Sequence, residues 1–180
     1  MEITKSIFRE YDIRGIYPEE INESIVSLIA KAIAYICKEK NITEICVGRD
    51  GRLSGESLLS KLSQTLSLFG IKVINLGLVT SPLLYFAAKK NRFKSGVMIT
   101  GSHNPKEYNG IKLVIDDKPI SGSDILELIE NNRVVVNPFL NEIVNVDIKD
   151  EYIQEVKKNL TIKKGTKIVI DCGNGAAGCI

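Results

Sequence analysis

The spacing of apolar residues between positions 22 and 100 switches repeatedly between a helical and an extended period, and few folds accept that pattern. From Asn22 to Lys40, Ile25, Leu28, Ile29, Ala32, Ile33 and Ile36 keep helical spacing, with Asn22 as N-cap. Glu44 to Val47 is a short β-rich run that ends at Gly48-Arg49-Asp50. A second helix is predicted from about Glu56 to Phe69, capped by Ser54, striped by Leu58, Leu59, Leu62 and Leu66, and closed by Gly70 at C′. Ile71 to Leu76 reads as a strand, Ser81-Pro82 as the N-cap and first turn of a helix to about Asn91, and Lys94 to Thr100 as a third strand.

Strands alternating with helices predict an α/β fold: a three-layer α/β/α domain with a mixed, mostly parallel sheet. Right-handed crossovers place the C-terminal ends of parallel strands along one edge. Arg49, Asp50, the Gly77–Thr80 turn and Ser102 fall at such ends and are expected to gather on one side. Gly110 to Ile115 reads as a further strand, antiparallel because the connection before it is short. Ser123 to Asn131 reads as helix, and Val134 to Val146, which contains Asn-Pro, as extended structure leading out of the domain. Near Ile148 the pattern resets. Lys149 to Leu160 looks helical, Lys163-Lys164-Gly165 is a turn, and Lys167 to Asp171 reads as a strand. Residues 1–148 are therefore expected to form one domain, and residues 149–180 the beginning of a second, similar one.

Composition narrows the partners. A net charge of +2 is too small to argue for a nucleic acid or an anionic membrane. No apolar run reaches the roughly 18–20 residues that a membrane span needs, and Met-Glu-Ile-Thr-Lys-Ser lacks a signal peptide's apolar core. Cys37, Cys46, Cys172 and Cys179 match no C-x-x-C metal or redox spacing. Cys37 and Cys46 lie in apolar elements and are expected in the core. Reduced thiols without a signal peptide suggest the cytoplasm.

Reactive residue types concentrate in Thr100-Gly101-Ser102-His103-Asn104-Pro105, directly after the apolar run Gly96-Val97-Met98-Ile99 and shortly before Asn109-Gly110-Ile111-Lys112. A serine can carry a phosphoryl group, and phosphoryl transfer asks mainly for positioning and for positive charge around the equatorial oxygens. His103 and Lys112 can supply part of that charge, and backbone N–H groups near Gly101 can form an anion nest. Lys112 can also serve as proton donor or acceptor. A Ser–His pair for acyl transfer is the competing chemistry. Neighbours on an extended chain point to opposite sides, however, which places Ser102 and His103 poorly for a hydrogen bond, and the G-x-S-x-G elbow is missing. An ordinary polar turn would use the same serine, asparagine and proline.

Four segments, taken together, resemble a known family: Phe8-Arg9-Glu10-Tyr11-Asp12-Ile13-Arg14-Gly15; Val47-Gly48-Arg49-Asp50-Gly51-Arg52-Leu53-Ser54; TGSHNP at 100–105 with Tyr108-Asn109-Gly110-Ile111-Lys112; and Val169-Ile170-Asp171-Cys172-Gly173-Asn174-Gly175-Ala176-Ala177-Gly178. In this order and spacing they look like the N-terminal third of the α-D-phosphohexomutases, nearest the bacterial phosphomannomutase/phosphoglucomutase branch. Phosphoglucosamine mutases usually read alanine where this chain has Gly101, which favours the hexose-phosphate branch.

The resemblance implies that Ser102 carries the catalytic phosphoryl group and that His103, Lys112 and Arg14 act beside it, with Lys112 an acid/base candidate. It implies substrate or phosphate binding by Tyr11, Arg14, Asn104 and Lys112. It further implies that the full enzyme, an intramolecular phosphotransferase, interconverts hexose 1-phosphate and hexose 6-phosphate through a hexose 1,6-bisphosphate, with Mg²⁺ bound partly by the phosphate on Ser102. The family's D-G-D-x-D-R metal loop has no counterpart in this sequence, nor do its later sugar-reading and phosphate-clamping loops. The chain alone is therefore expected to be inactive.

Two motifs admit other readings. Gly173-Asn174-Gly175-Ala176-Ala177-Gly178 fits G-x-G-x-x-G, which marks a dinucleotide-binding turn only between a strand and a helix. Its glycines serve equally for close strand–helix packing. In Gly48-Arg49-Asp50-Gly51-Arg52, function would mean phosphate contact or support of the serine loop. An exposed Arg–Asp pair stabilising its own turn, worth under about 1 kcal/mol, is the expectation for Asp50 and Arg52. A non-catalytic sugar-phosphate binder and a Rossmann-type nucleotide domain are the rival functions.

Overall fold

The alternating periods close into one mixed sheet with helices on both faces. The computed structural model describes residues 3–91, 94–134 and 137–180. The strands are β1 (Ile13–Ile16), β2 (Glu44–Arg49), β3 (Lys72–Leu78), β4 (Gly96–Ile99), β5 (Tyr108–Ile115), β6 (Lys118–Pro119) and β7 (Ile143–Asn145). The helices are α1 (Glu23–Glu39), α2 (Gly55–Leu68), α3 (Ser81–Lys90), α4 (Gly122–Glu130) and α5 (Lys149–Lys158). Strand order is β1-β5-β4-β2-β3-β7, with β6 paired to β5. β4, β2, β3 and β7 run parallel, whereas β5 is antiparallel to β1, β4 and β6. The sheet is thus parallel at its centre and antiparallel at the edge that carries the serine loop, because that loop returns the chain directly from β4 to β5.

One layer is α1, α2 and α4. Ile29, Ile33, Leu58, Leu62 and Ile125 pack there on Ile45, Val47, Val97, Ile99 and Ile111. The other layer is α3, whose Leu83, Leu84 and Ala87 cover Cys46, Leu76 and Met98. Burial of whole aliphatic side chains stabilises at about 1.5–3 kcal/mol each, so these two clusters dominate the fold. Burial also pushes the Cys37 and Cys46 thiols up to about 12, so both behave as small apolar groups.

Local capping follows the sequence with two shifts. Asn22 caps α1 as expected, accepting from the N–H groups of Ser24 and Ile25, each at 3.1 Å. Ser121 caps α4 in a capping box with Asp124. Ser54 precedes α2 but makes no cap bond; its hydroxyl accepts from Asn109 Nδ2 at 2.8 Å and ties the start of α2 to β5. The cap position of α3 is Thr80, one residue before the expected Ser81.

Beyond α4 two expectations change. The stretch from Val134 to Val146, of which residues 135–136 lie outside the described residues, does not simply lead away: β7 adds to the sheet beside β3. Lys167 to Asp171 forms no strand. Ile168, Val169 and Ile170 are 60%, 97% and 77% exposed, since a strand exists only by pairing and no described residue pairs with them. α5 lies against α3 through Phe86 and Tyr152, whose rings meet edge-on at 5.4 Å, and through a Lys90–Glu151 ion pair.

Candidate active site

Three stretches of chain meet at Gly110. β1 pairs with β5 so that Arg14 stands opposite Gly110. Thr100 N–H, at the start of the serine loop, donates to Gly110 O at 2.9 Å. A Cβ on Gly110 would lie 2.3 Å from Ile13 O, 3.0 Å from Thr100 O and 3.3 Å from Arg14 Cα. Only glycine lets the Arg14 strand and the serine loop approach β5 this closely. Lys112, opposite Met98 on β4, lies two residues on from Gly110. Arg14, Gly110, Lys112 and Met98 therefore share the face turned toward α3, while Ile13, Ile99 and Ile111 are buried on the other.

Arg14 is not a free cation. It pairs with Asp12, and the two side chains are only 12% and 11% exposed. The pairing sets the direction of the guanidinium. The turn before it is anchored by Gly122 N–H donating to Arg9 O at 2.7 Å, and Tyr11 at that turn is 83% exposed. The sequence reading placed no element before Asn22; β1 has only four residues, too short for periodicity to mark it.

Ser102 is exposed and holds a left-handed backbone, φ +55°. For a residue other than glycine that conformation costs roughly 1–2 kcal/mol and persists only where neighbours impose it. Thr100 Oγ1 accepts from Ser102 N–H at 2.8 Å and donates to Asp50 Oδ2 at 2.7 Å. Asn104 Nδ2 donates to Gly101 O at 2.8 Å. The turn also corrects the expectation for His103. Because the chain is not extended here, Ser102 Oγ and His103 Nδ1 stand 3.4 Å apart instead of on opposite sides.

Arg52 was read as half of an exposed turn-stabilising pair, and here the structure differs. The Arg52 and Asp50 side chains are only 13% and 18% exposed. From below the loop, Arg52 donates to Pro105 O at 2.5 Å, Tyr108 O at 2.8 Å, Asn104 O at 2.6 Å and Ser102 O at 3.1 Å. Its Nε faces Asp50 Oδ2 at 3.4 Å. Asp50 Oδ2 accepts from Gly101 N–H as well, at 3.2 Å. The second arginine of a GRDGR run was visible in the sequence, but nothing there revealed that four of its donors would be spent on one distant loop.

Ser102, Asn104, Asp50 and Arg52 border a cleft of about 1030 Å³ that Lys106, Thr80 and Tyr17 also line, whereas Arg14, His103, Lys112 and Tyr11 are not among its lining residues. Lys106 and Tyr17 carried no signal in the sequence reading. Asn174 to Ala177 border the same cleft. With no strand before it, the Gly173–Gly178 run is a turn followed by a 3-10 segment, Ala176–Cys179, which lacks the strand–turn–helix frame of a dinucleotide site. Among the described residues no cluster of three or more His, Cys, Asp or Glu side chains is placed to hold a metal.

The fold is an α/β/α layer with a left-handed serine loop just beyond the end of a central strand, backed by the partly buried Arg52. Comparison with known proteins gives the particular lineage. The family model for phosphoglucomutase/phosphomannomutase, alpha/beta/alpha domain I, matches residues 5–133. A phosphoglucomutase of Neisseria meningitidis serogroup B is 40% identical over 179 residues, covering 98% of this chain and 39% of the relative. A phosphomannomutase/phosphoglucomutase of Pseudomonas syringae pv. tomato is 42% identical over 178 residues, covering 97% and 38%. The crystal structure of a phosphoglucomutase/phosphomannomutase family protein from Burkholderia thailandensis superposes with a TM-score of 0.84 at 30% identity, covering 91% of this chain and 38% of that one. The chain belongs to the phosphoglucomutase/phosphomannomutase family and spans about two fifths of the length of these curated relatives.

Proposed function

We propose that Ser102 is the phosphoryl-carrying residue of a hexose-phosphate mutase, and that this chain supplies the phosphoserine domain of that enzyme. The observation that carries the reading is Ser102 itself: an exposed hydroxyl in a left-handed turn at the C-terminal end of β4, bordering the cleft. In the forward half-reaction the bond between phosphorus and Ser102 Oγ breaks as a bond to the free hydroxyl of a hexose phosphate forms. The hydroxyl proton leaves through Lys112, and the released Ser102 oxygen takes a proton from solvent. The bisphosphate then turns and returns its other phosphoryl group to Ser102. Donor and acceptor are both phosphomonoesters, so no nucleotide is consumed.

His103, 3.4 Å from Ser102 Oγ, is suited to steady the serine oxygen. Arg14, aimed by Asp12, adds positive charge on the sheet face beside the loop, the face that also carries Lys112. Asn104 and Tyr11 are proposed as weaker substrate contacts. Magnesium, which the family uses, would have to draw its carboxylates from outside the described residues, and none of these steps is routed through it. Residues 149–180 are proposed to open a second unit, since no residue of α5 is buried. Cytoplasmic residence is proposed too, in keeping with four free cysteines.

The test is intact-mass analysis with peptide mapping after incubation with glucose 1,6-bisphosphate. One phosphate at Ser102 is expected, and none in Ser102→Ala. Phosphate confined to any other serine removes the assignment.

A further inference from the structure

Four of the five N–H groups of Arg52 donate to carbonyls of residues 102–108, and its Nε stands 3.4 Å from the Asp50 carboxylate. A surface arginine with one carboxylate partner needs no such arrangement. Two further observations bear on its purpose. First, a Cβ on Gly101 would lie 2.3 Å from both Nε and Cζ of Arg52, so the guanidinium occupies the volume that any larger residue at 101 would need. Second, carbonyl and N–H of a trans peptide point in opposite directions. Drawing the Ser102 and Pro105 carbonyls toward Arg52 turns the N–H groups of His103 and Lys106 away from it. Among the described residues neither of those N–H groups has a backbone or side-chain acceptor, and Lys106 and Ser102 border the same cleft.

We propose that Arg52 is the positioning residue of the Ser102 loop: it holds four carbonyls inward, keeps Ser102 left-handed, and presents the His103 and Lys106 N–H groups as donors to a phosphoryl group on Ser102. The last clause rests on the function proposed above; the first two do not. Gly101 is part of the same device, because its missing side chain is the seat of the guanidinium. Neither residue touches the transferred group, so the effect is on geometry and not on proton transfer.

The experiment uses Arg52→Ala, Arg52→Lys, Gly101→Ala and the Arg52→Ala/Gly101→Ala double variant of the 180-residue chain. Two readouts are taken: the Ser102 Cα and Cβ chemical shifts with amide exchange across residues 101–109, and the rate of ³¹P-detected phosphoserine formation from glucose 1,6-bisphosphate. Arg52→Ala is expected to abolish the left-handed shift signature of Ser102, to speed exchange of Asn104 N–H and Tyr108 N–H at least about tenfold, and to slow phosphoserine formation at least about tenfold. Arg52→Lys, with three donors and no planar fork, is expected to recover only part of this. Gly101→Ala should match Arg52→Ala, and the double variant should be no worse than either.

Unchanged Ser102 shifts and exchange in Arg52→Ala, or additive effects in the double variant, overturn the proposal. Phosphate mapped in the parent chain to a serine other than Ser102, together with the expected loop changes, removes the mutase reading and leaves the clamp standing. If Arg52→Ala fails to fold, Gly101→Ala and Arg52→Lys decide by the same shifts.

Discussion

Residues 44–47 and 167–171 look alike as sequence, each a short run rich in β-branched residues ending in a polar turn, and they meet opposite fates. Ile45 and Val47 are fully buried in β2, the strand between β3 and β4. Val169 is 97% exposed and belongs to no strand. The first run has a neighbour on each side to take its N–H and C=O groups and a helix over its side chains. The second has neither among the described residues. A strand is a property of its partners, and a sequence shows only one member of each pair.

Four measurements would break or sharpen that contrast. The largest effect belongs to the packed side. Leu62→Ala, at a fully buried position of α2, is expected to cost about 2–5 kcal/mol in urea unfolding. A cost below about 1 kcal/mol would mean that the layer over β2 is loosely packed.

The next effect comes from the buried thiols. Desolvation raises Cys37 and Cys46 from 9.0 to about 12, with the Glu44 charge adding to the rise at Cys46. The unfolded chain releases these protons above about pH 9, while the folded chain keeps them until about pH 12. The folded state then binds more protons, so stability falls as pH rises between those values and is untouched by these groups below them. Urea midpoints at pH 8 and pH 10 in the parent and in Cys37→Ala/Cys46→Ala would show it; an equal drop in both would assign the loss elsewhere. Native-state thiol labelling at pH 8 should reach exposed Cys172 and spare Cys37 and Cys46.

The smallest effect belongs to the exposed run. Val169→Ser is expected to change stability by no more than about 0.5 kcal/mol. A loss above about 1 kcal/mol would show that the segment is paired in solution.

The candidate site repeats the same lesson at finer scale. The TGSHNP run announced a serine loop at a strand end, and the loop lies there, bordering the cleft. The fold class and the helices were also legible, because repeated apolar spacing over ten or more residues has few solutions. What could not be read was anything set by long-range pairing. Arg14 sits on a four-residue edge strand opposite Gly110, a pairing across 96 positions of sequence. Arg52 does pair with Asp50 as the sequence suggested, but four of its donors go to carbonyls about fifty residues away. The Ser102–His103 contact depends on one dihedral, φ +55°, that no residue type in the run specifies.

By itself the sequence determined which segments are helices, which face of each is apolar, and where the reactive serine stands along the chain, since all of these follow from local spacing. Only the tertiary structure decided which strands find neighbours, that a glycine at 110 draws Arg14 to the serine loop, and that Arg52 is committed to backbone carbonyls. Hydrogen-bond donors and close approaches are satisfied in space, by whatever the folded chain brings within about 3 Å, and distance along the chain has no say in that choice.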